Sequence, residues 1–325
     1  MTATGVGFSA FLGERPAVGR RLAVTVLAGG PGGEREVSLE SGRAVAEALR
    51  ALGHQVFLND IAPDQLAALA RQVDCIFVAL HGTFGEDGQL QQILEERGLA
   101  YTGSGPEACR LAMDKAAAKA RFIEAGLPTP RFAVAAAGTI DEAVACWTLP
   151  VVVKPVREGS SLCCRIMRET AALRPAVEEV VRRYGDCLIE EYIPGLELTV
   201  GILGDAALDP LEIRTRREFY DYQAKYLDDD TIYDFEIDLP SDLLGRLRDM
   251  SLTAHRVLGC RGFSRVDWRV NPETLRPYIL EVNVIPGLTS HSLLPKAAAR
   301  MGLSMAGLCQ FLINDGLQRR CGGRC

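Results

Sequence analysis

The spacing of apolar and polar positions changes several times along the chain, and each change marks an element. Residues 22–28, LAVTVLA, form a short β-type run that ends in GGPGGE. In VSLESGRAVAEALRALG the apolar residues recur at helical spacing up to Gly53, which predicts a helix closed by that glycine. HQVFLND and DCIFVALHG predict two more strands, with a helical PDQLAALARQ between them. Strand, helix, strand, helix, strand is the pattern of a parallel sheet with helices on its faces. Ligands collect at the carboxyl ends of such strands, where residues 29–34 and 81–87 fall.

After YTGSGPEA, one long helix is predicted over CRLAMDKAAAKARFIEAG, stopped by LPTP. RFAVA, LPVVVKP and LCCRIMR read as hairpin-like strands, and the strand CLIEEYI follows a helix near 171–184. A Pro-Gly turn leads into the strand LELTVGILG. A helix near 241–258 precedes the strands FSRVDWRV and YILEVNVI, and a last helix closes the chain. These elements divide into a loose extension over 1–20 and three units over 21–105, 106–195 and 196–325.

Alternate residues of a strand share a face. Arg265 and Asp267 therefore oppose Val266, Trp268 and Val270, while Glu281 and Asn283 oppose Leu280, Val282 and Val284. The turn-rich NPETLRP between the two runs predicts a hairpin. Pairing gathers Asp267, Glu281 and Asn283 on one polar face, a set of oxygens suited to Mg²⁺ beside phosphate groups. A solvent-facing sheet would alternate in the same way. Lys154 ends a β-branched run, and the turn after it, Glu158 to Ser161, offers N–H groups and the hydroxyls of Ser160 and Ser161 to an anion. An ordinary hairpin would read alike, and the order of residues is not that of a P-loop. Lys115 by itself is a helix charge. Around the later turn, Glu190 or Glu197 could hold ribose hydroxyls and Tyr192 could stack on a base.

Composition narrows the partners. A net charge of -6 argues against a nucleic-acid or anionic-membrane binder, and no apolar stretch approaches a membrane span. The first twenty residues do not read as a signal peptide. The 10 cysteines include no CxxC pair and read as small buried hydrophobes of a reducing cytosol. The 4 histidines are isolated and lack metal-ligand spacing.

Taken in order, EREVSLESG, ALHGTFGEDGQLQ, YTGSGPEA, MDK, VVVKPVREGSS, FYDYQAKYL, GFSRVDW and EVNVIPGLTSHSLLP carry a resemblance. Over about residues 21–315 the sequence is similar to the D-alanine–D-alanine ligases of the ATP-grasp superfamily. The resemblance implies a three-domain α/β fold (α+β overall), with an N-terminal parallel-sheet domain and two α+β domains clamping ATP. It implies that Lys115, Lys154 and Lys225 meet the phosphates, with Ser160 and Ser161 in the loop over them. Glu190, Tyr192 and Ile193 would hold adenine and Glu197 the ribose. Asp267, Glu281 and Asn283 would hold two Mg²⁺ or Mn²⁺ ions. Glu34, with His81 near it, would anchor the first D-alanine, and Ser292 the carboxylate of the second. Arg265 and the N–H of Gly287 would face the tetrahedral oxyanion, while Ser160 and Tyr226 would bond to Glu34. Tyr226 favours a dipeptide over a depsipeptide product. A cytoplasmic homodimer acting on small molecules, without nucleic acid or membrane, completes the expectation.

The sequence departs from the family at three positions. Cys163 stands where glycine is usual, Cys164 where another residue is, and Val284 where threonine is. A side chain at 163 is expected to hinder the phosphate loop. The odd loop keeps open a paralogue joining other amino acids. An idle ATP-binding regulator is the remaining alternative, and the retention of Arg265 argues against it, because a pure binder needs no oxyanion cation.

Overall fold

The computed structural model describes residues 20–159, 163–217 and 230–322. The parallel sheet expected from the first three strands is present. β1 (Ala23–Ala28) is followed by α1 (Arg35–Ala51), and pairs in parallel with β2 (Gln55–Asp60) and β3 (Cys75–Val78) on either side. The helix buries Val37, Ser41, Val45 and Leu49 in one stripe, and Gly53 at φ 85 lets the chain reverse into β2. PDQLAALARQ supplies only a 3₁₀ turn, Ala67–Ala70, with Leu69 buried; so small an apolar face cannot hold a longer helix. α2 (Gln89–Glu96) completes this unit.

The single helix expected next is two. α3 (Pro106–Met113) and α4 (Lys115–Glu124) meet at Asp114, whose backbone is extended and whose carboxylate accepts the Ala117 N–H at 3.0 Å. Aspartate competes with the helix for backbone donors, so it caps a new helix rather than continuing the old one. The break puts Lys115 in the first turn of α4. β4 (Phe132–Ala136), α5 (Ile140–Val144), β5 (Val151–Pro155), β6 (Arg165–Met167), α6 (Thr170–Tyr184) and β7 (Asp186–Glu191) follow. They form an antiparallel sheet in the order β4-β7-β5-β6: the hairpin-like pairing of β5 with β6 is present, while β7 lies between β4 and β5. Val151, Val153, Val177, Val180 and Ile189 give this sheet and α6 a core of their own.

The last third contains β8 (Leu196–Leu203), β9 (Ala206–Ala207), β10 (Leu211–Arg214), β11 (Ile232–Asp234), α7 (Ser241–Val257), β12 (Phe263–Asn271), β13 (Arg276–Asn283), α8 (Leu293–Arg300) and α9 (Met305–Gly322). Its antiparallel sheet runs β11-β10-β8-β12-β13, with β9 on β8. Trp268 is fully buried and donates its Nε1–H to Ser251 at 2.9 Å. This unit shares one continuous core with the first, joining Leu27 and Phe77 to Leu198, Val266 and Trp268. The middle sheet therefore faces a larger body built from both ends of the chain. Cys75, Cys109, Cys187, Cys260 and Cys309 are free and buried as expected, whereas Cys146 is exposed and Cys163 and Cys164 are half-buried, so the reading as buried hydrophobes does not extend to those three. Among the described residues, no helix is long and apolar enough to cross a membrane.

Candidate active site

A cleft of about 920 Å³, open to solvent, lies between the middle sheet and β12-β13. Its far wall is the expected hairpin. Arg265 stands opposite Asn283 and Asp267 opposite Glu281, so the four polar residues share one face. One feature of the hairpin departs from simple alternation. The register shifts after Asp267, so that Trp268 faces Ile279 and Leu280 has no opposite residue. This bulge buries Ile279 and leaves Leu280 lining the cleft, where alternation had assigned it to the core. An apolar patch is thereby added beside the carboxylates.

Asp267 is the hub of the hairpin. Arg265 donates to both its oxygens, from Nε at 2.8 Å and Nη2 at 2.7 Å. Thr199 Oγ1 donates at 2.7 Å and Asn283 Nδ2 at 2.9 Å. With its amide nitrogen turned to Asp267, Asn283 has its remaining oxygen for another partner. Two carboxylates and an amide on cross-strand neighbours are the donor types a hard divalent cation takes, and an ion binding Asp267 would replace one of the four donors that occupy its lone pairs. Among the described residues no three His, Cys, Asp or Glu side chains cluster as a metal site, so the amide oxygen is the third donor such an ion would need.

The near wall carries the lysines. In β5 the odd positions Val151, Val153 and Pro155 are buried, which turns Val152 and Lys154 into the cleft. Lys154 Nζ donates to Glu190 Oε1 at 2.5 Å, and fully buried Lys119 pairs with Glu190 Oε2 at 2.9 Å. Burial alone would raise the Glu190 carboxyl, but the two ammonium groups outweigh it and hold it below the usual carboxylate range. Lys115 Nζ donates to the Glu158 carbonyl at 2.5 Å and stands 3.7 Å from Glu281 Oε2, joining the turn after β5 to the hairpin. Arg269, two residues beyond Asp267 on the same face, donates from Nε to the Ile193 carbonyl at 3.1 Å and from Nη1 to Glu197 at 3.2 Å. It fixes the turn that presents Tyr192, Ile193 and Glu197 to the cleft. Cys164 also lines it, and burial pushes its thiol up to about 11. Cys163 adopts φ 55, the left-handed region in which glycine is at ease, with Sγ 3.2 Å from Tyr184 Oη.

A smaller adjoining pocket is lined by Glu86, Lys115, Glu158, Asn283 and Val284. Glu34 reaches the same region. A Cβ on Gly82 or on Gly159 would stand 2.9 or 2.8 Å from Glu34 Oε2, so both loops close on that carboxylate only because they carry glycine. His81 Nδ1 lies 3.0 Å from the Ile285 carbonyl, which can only accept, so Nδ1 carries the ring proton. Nε2 then accepts from Ser41 Oγ at 3.1 Å, while Ser41 accepts the Leu288 N–H at 3.2 Å. The loop after β3 also supplies Glu86, which accepts from Gly82 N–H at 2.7 Å and Ile285 N–H at 3.3 Å. Ile285 is thus held by both its N–H and its C=O. Two residues on, Gly287 packs so closely on Ser292 that a Cβ would meet its Oγ at 2.7 Å.

Burial, with the charge of Glu34, pushes the Glu86 carboxyl up to about 8. The folded state therefore keeps a proton that the unfolded chain gives up near its ordinary 4.5, and stability is lost as pH rises between those values. His81, lowered by burial from 6.5, acts only below that pH. Replacing Glu86 with Gln should raise the melting temperature relative to the unsubstituted protein by about 4 °C more at pH 8 than at pH 6.5. A pH-independent difference between the two melting curves would sink this assignment.

The structure brings together Glu34, His81, Lys115, Lys154, Glu190, Tyr192, Ile193, Glu197, Arg265, Asp267, Glu281, Asn283, Gly287 and Ser292 around these two pockets and the loops between them. Ser160, Ser161, Lys225 and Tyr226 lie outside the described residues. The Glu190 carboxylate is committed to two lysines rather than turned to a ligand. Lys119, Glu86, Leu280 and Arg269 were not singled out from sequence. Arg269 had a signal, because it continues the alternation of Arg265 and Asp267.

Family models described as "D-ala D-ala ligase C-terminus" and "D-ala D-ala ligase N-terminus" match residues 122–314 and 58–104. A D-alanine–D-alanine ligase of Acidiphilium cryptum is 45% identical over 295 residues, covering 90% of this chain and 97% of that protein. The chain belongs to the D-alanine–D-alanine ligase family. A crystal structure of the Bacillus anthracis family member complexed with ATP superposes with a TM-score of 0.79 at 30% identity, covering 93% of this chain and 99% of that one. A D-Ala:D-Ser ligase from Enterococcus faecalis gives 0.81 at 28% identity, covering 91% and 100%. The family's ATP-grasp fold accounts for the cleft between two antiparallel sheets.

Proposed function

We propose that this chain uses ATP to join two D-alanine molecules into D-alanyl-D-alanine, a peptidoglycan precursor, in a bacterial cytosol. The observation that supports it most is the convergence of Lys115, Lys154, Glu197, Asp267 and Glu281 on one cleft in a chain of this family. Segments 21–105, 106–195 and 196–325 act as its three domains, and the active form is a homodimer.

A carboxylate oxygen of the first D-alanine attacks the γ-phosphorus, the bond to ADP breaks, and an acyl phosphate forms. The deprotonated amine of the second attacks the acyl carbon. The attacking nitrogen gives up a proton and the tetrahedral oxyanion collapses, so that inorganic phosphate leaves with that proton as the peptide bond forms. Phosphoryl transfer needs mainly position and charge neutralisation. Lys115, Lys154 and Lys225 supply cations at the phosphates, with Ser160 and Ser161 in the loop over them. Tyr192 and Ile193, with the Glu190 backbone, flank adenine, and Glu197 takes the ribose. Asp267, Glu281 and Asn283 would hold magnesium or manganese ions, which offset phosphate charge when bound. Glu34 anchors the first ammonium beside His81, Ser292 takes the second carboxylate, and Ser160 and Tyr226 tie their loops to Glu34. Arg265 and the Gly287 N–H face the oxyanion.

The test is a screen of D- and L-amino acids and D-lactate for ATP-dependent phosphate release. Strong stimulation by D-alanine alone is expected. Stimulation only by a D-alanine and D-serine mixture would move the chain to a mixed ligase, and no stimulation by any compound would overturn the reading.

A further inference from the structure

Lys119 is wholly buried in α4, touches no cleft surface, and carries a charge that the reaction does not use. A buried ammonium persists only where its surroundings are arranged for it. Nζ donates to Thr129 Oγ1 at 2.7 Å and pairs with Glu190 Oε2 at 2.9 Å. Thr129 donates onward to the Ile279 carbonyl at 2.8 Å, and Ile279 N–H donates to Pro128 O at 2.8 Å. The lysine is thus fixed where the middle sheet meets β13. From there it grips the carboxylate that also holds Lys154.

We propose that Lys119 is a positioning residue for the nucleotide: by sharing Glu190, it keeps Lys154 a net cation available to phosphate. This rests on the reading that ATP occupies the cleft. Two ammonium groups and one carboxylate leave one positive charge at the cleft wall. Without Lys119, Glu190 and Lys154 would close into a neutral pair, and in a site of low dielectric an incoming polyphosphate would have to break it. Burial pushes Lys119 down to about 8 while Glu190 opposes that shift, in keeping with a cation held by its single carboxylate partner. Charge counting ranks the variants. Glu190→Gln leaves two cations, Lys119→Met leaves none in excess, and the double substitution restores the single cation of the native wall.

The experiment is calorimetric titration of the full chain with ATP and Mg²⁺, without amino acid. Lys119→Met should weaken ATP binding at least about ten-fold, whereas the Lys119→Met/Glu190→Gln protein should bind within about three-fold of the unsubstituted chain. At saturating ATP, the KM for D-alanine in Lys119→Met should change by less than about two-fold. A lysine that only supports the fold would not be rescued by removing its partner. Unchanged ATP affinity in Lys119→Met, or an equal loss in the double variant, overturns the proposal. Should Lys119→Met not fold, the double variant decides alone, supporting the proposal if it binds ATP like the unsubstituted protein and overturning it otherwise. ATP binding without D-alanine-stimulated phosphate release would reject the ligase reading and leave this one standing. Absence of ATP binding would reject both.

Discussion

Replacing Arg265 with Ala is expected to lower the turnover of D-alanine-stimulated phosphate release by about 10²–10³-fold and to leave ATP affinity within about three-fold. The asymmetry follows from where the guanidinium lies. Arg265 is on the same face as Asp267 but does not line the larger cleft; its charge is felt instead by His81 and Glu86, on the side of the smaller pocket. Its removal does not abandon Asp267, which keeps Thr199 and Asn283 as donors at 2.7 and 2.9 Å. The cleft wall of Lys154, Tyr192 and Arg269, proposed above to face the nucleotide, stays intact. On the proposed mechanism, what disappears is a fixed cation where oxyanion charge develops, and only interactions stronger in the transition state change turnover. Arg265→Lys, keeping the charge but not the planar fork, should fall between the two. Near-normal turnover in the alanine variant would remove Arg265 from the chemistry.

The hairpin shows how far sequence reaches. Alternation placed Arg265, Asp267, Glu281 and Asn283 on one face, and the strands pair with just those residues opposite. Alternation could not reveal the bulge, because an extra residue in one strand is invisible until the partner's register is known. Leu280 was misassigned for that reason. The break at Asp114 was legible in principle as an N-cap inside a helical pattern, but the apolar spacing on both sides is continuous and hid it. Lys119 and Glu86 left no trace, since their meaning lies in partners far along the chain, Glu190 and Ile285. The order β4-β7-β5-β6 is of the same kind, a long-range pairing that no local period encodes. At Cys163 the sequence pointed correctly to a special place. The family's glycine position is indeed left-handed here, and cysteine adopts φ 55 there. Nothing in the structure explains why cysteine is kept.

Asp267→Asn should raise the magnesium concentration needed for half-maximal phosphate release at least about ten-fold and cut turnover by about 10²-fold. Two losses combine. The side chain gives up the charge that suits it to a divalent cation. It also exchanges one acceptor oxygen for an amide donor, though Arg265 Nε, Arg265 Nη2, Thr199 Oγ1 and Asn283 Nδ2 all donate to this group. At least one donor must then face another, so the guanidinium or the Asn283 amide turns away. Thr199→Val separates the two effects, because it deletes one supporting hydrogen bond and preserves the carboxylate. Its magnesium requirement should move only a few-fold, on the order of the cost of one hydrogen bond. A magnesium requirement unchanged in Asp267→Asn would show that no cation is held at this hairpin. The grouping of Asp267, Glu281 and Asn283 would then be an Arg265 anchor alone, and phosphate neutralisation would fall to the lysines of the opposite wall.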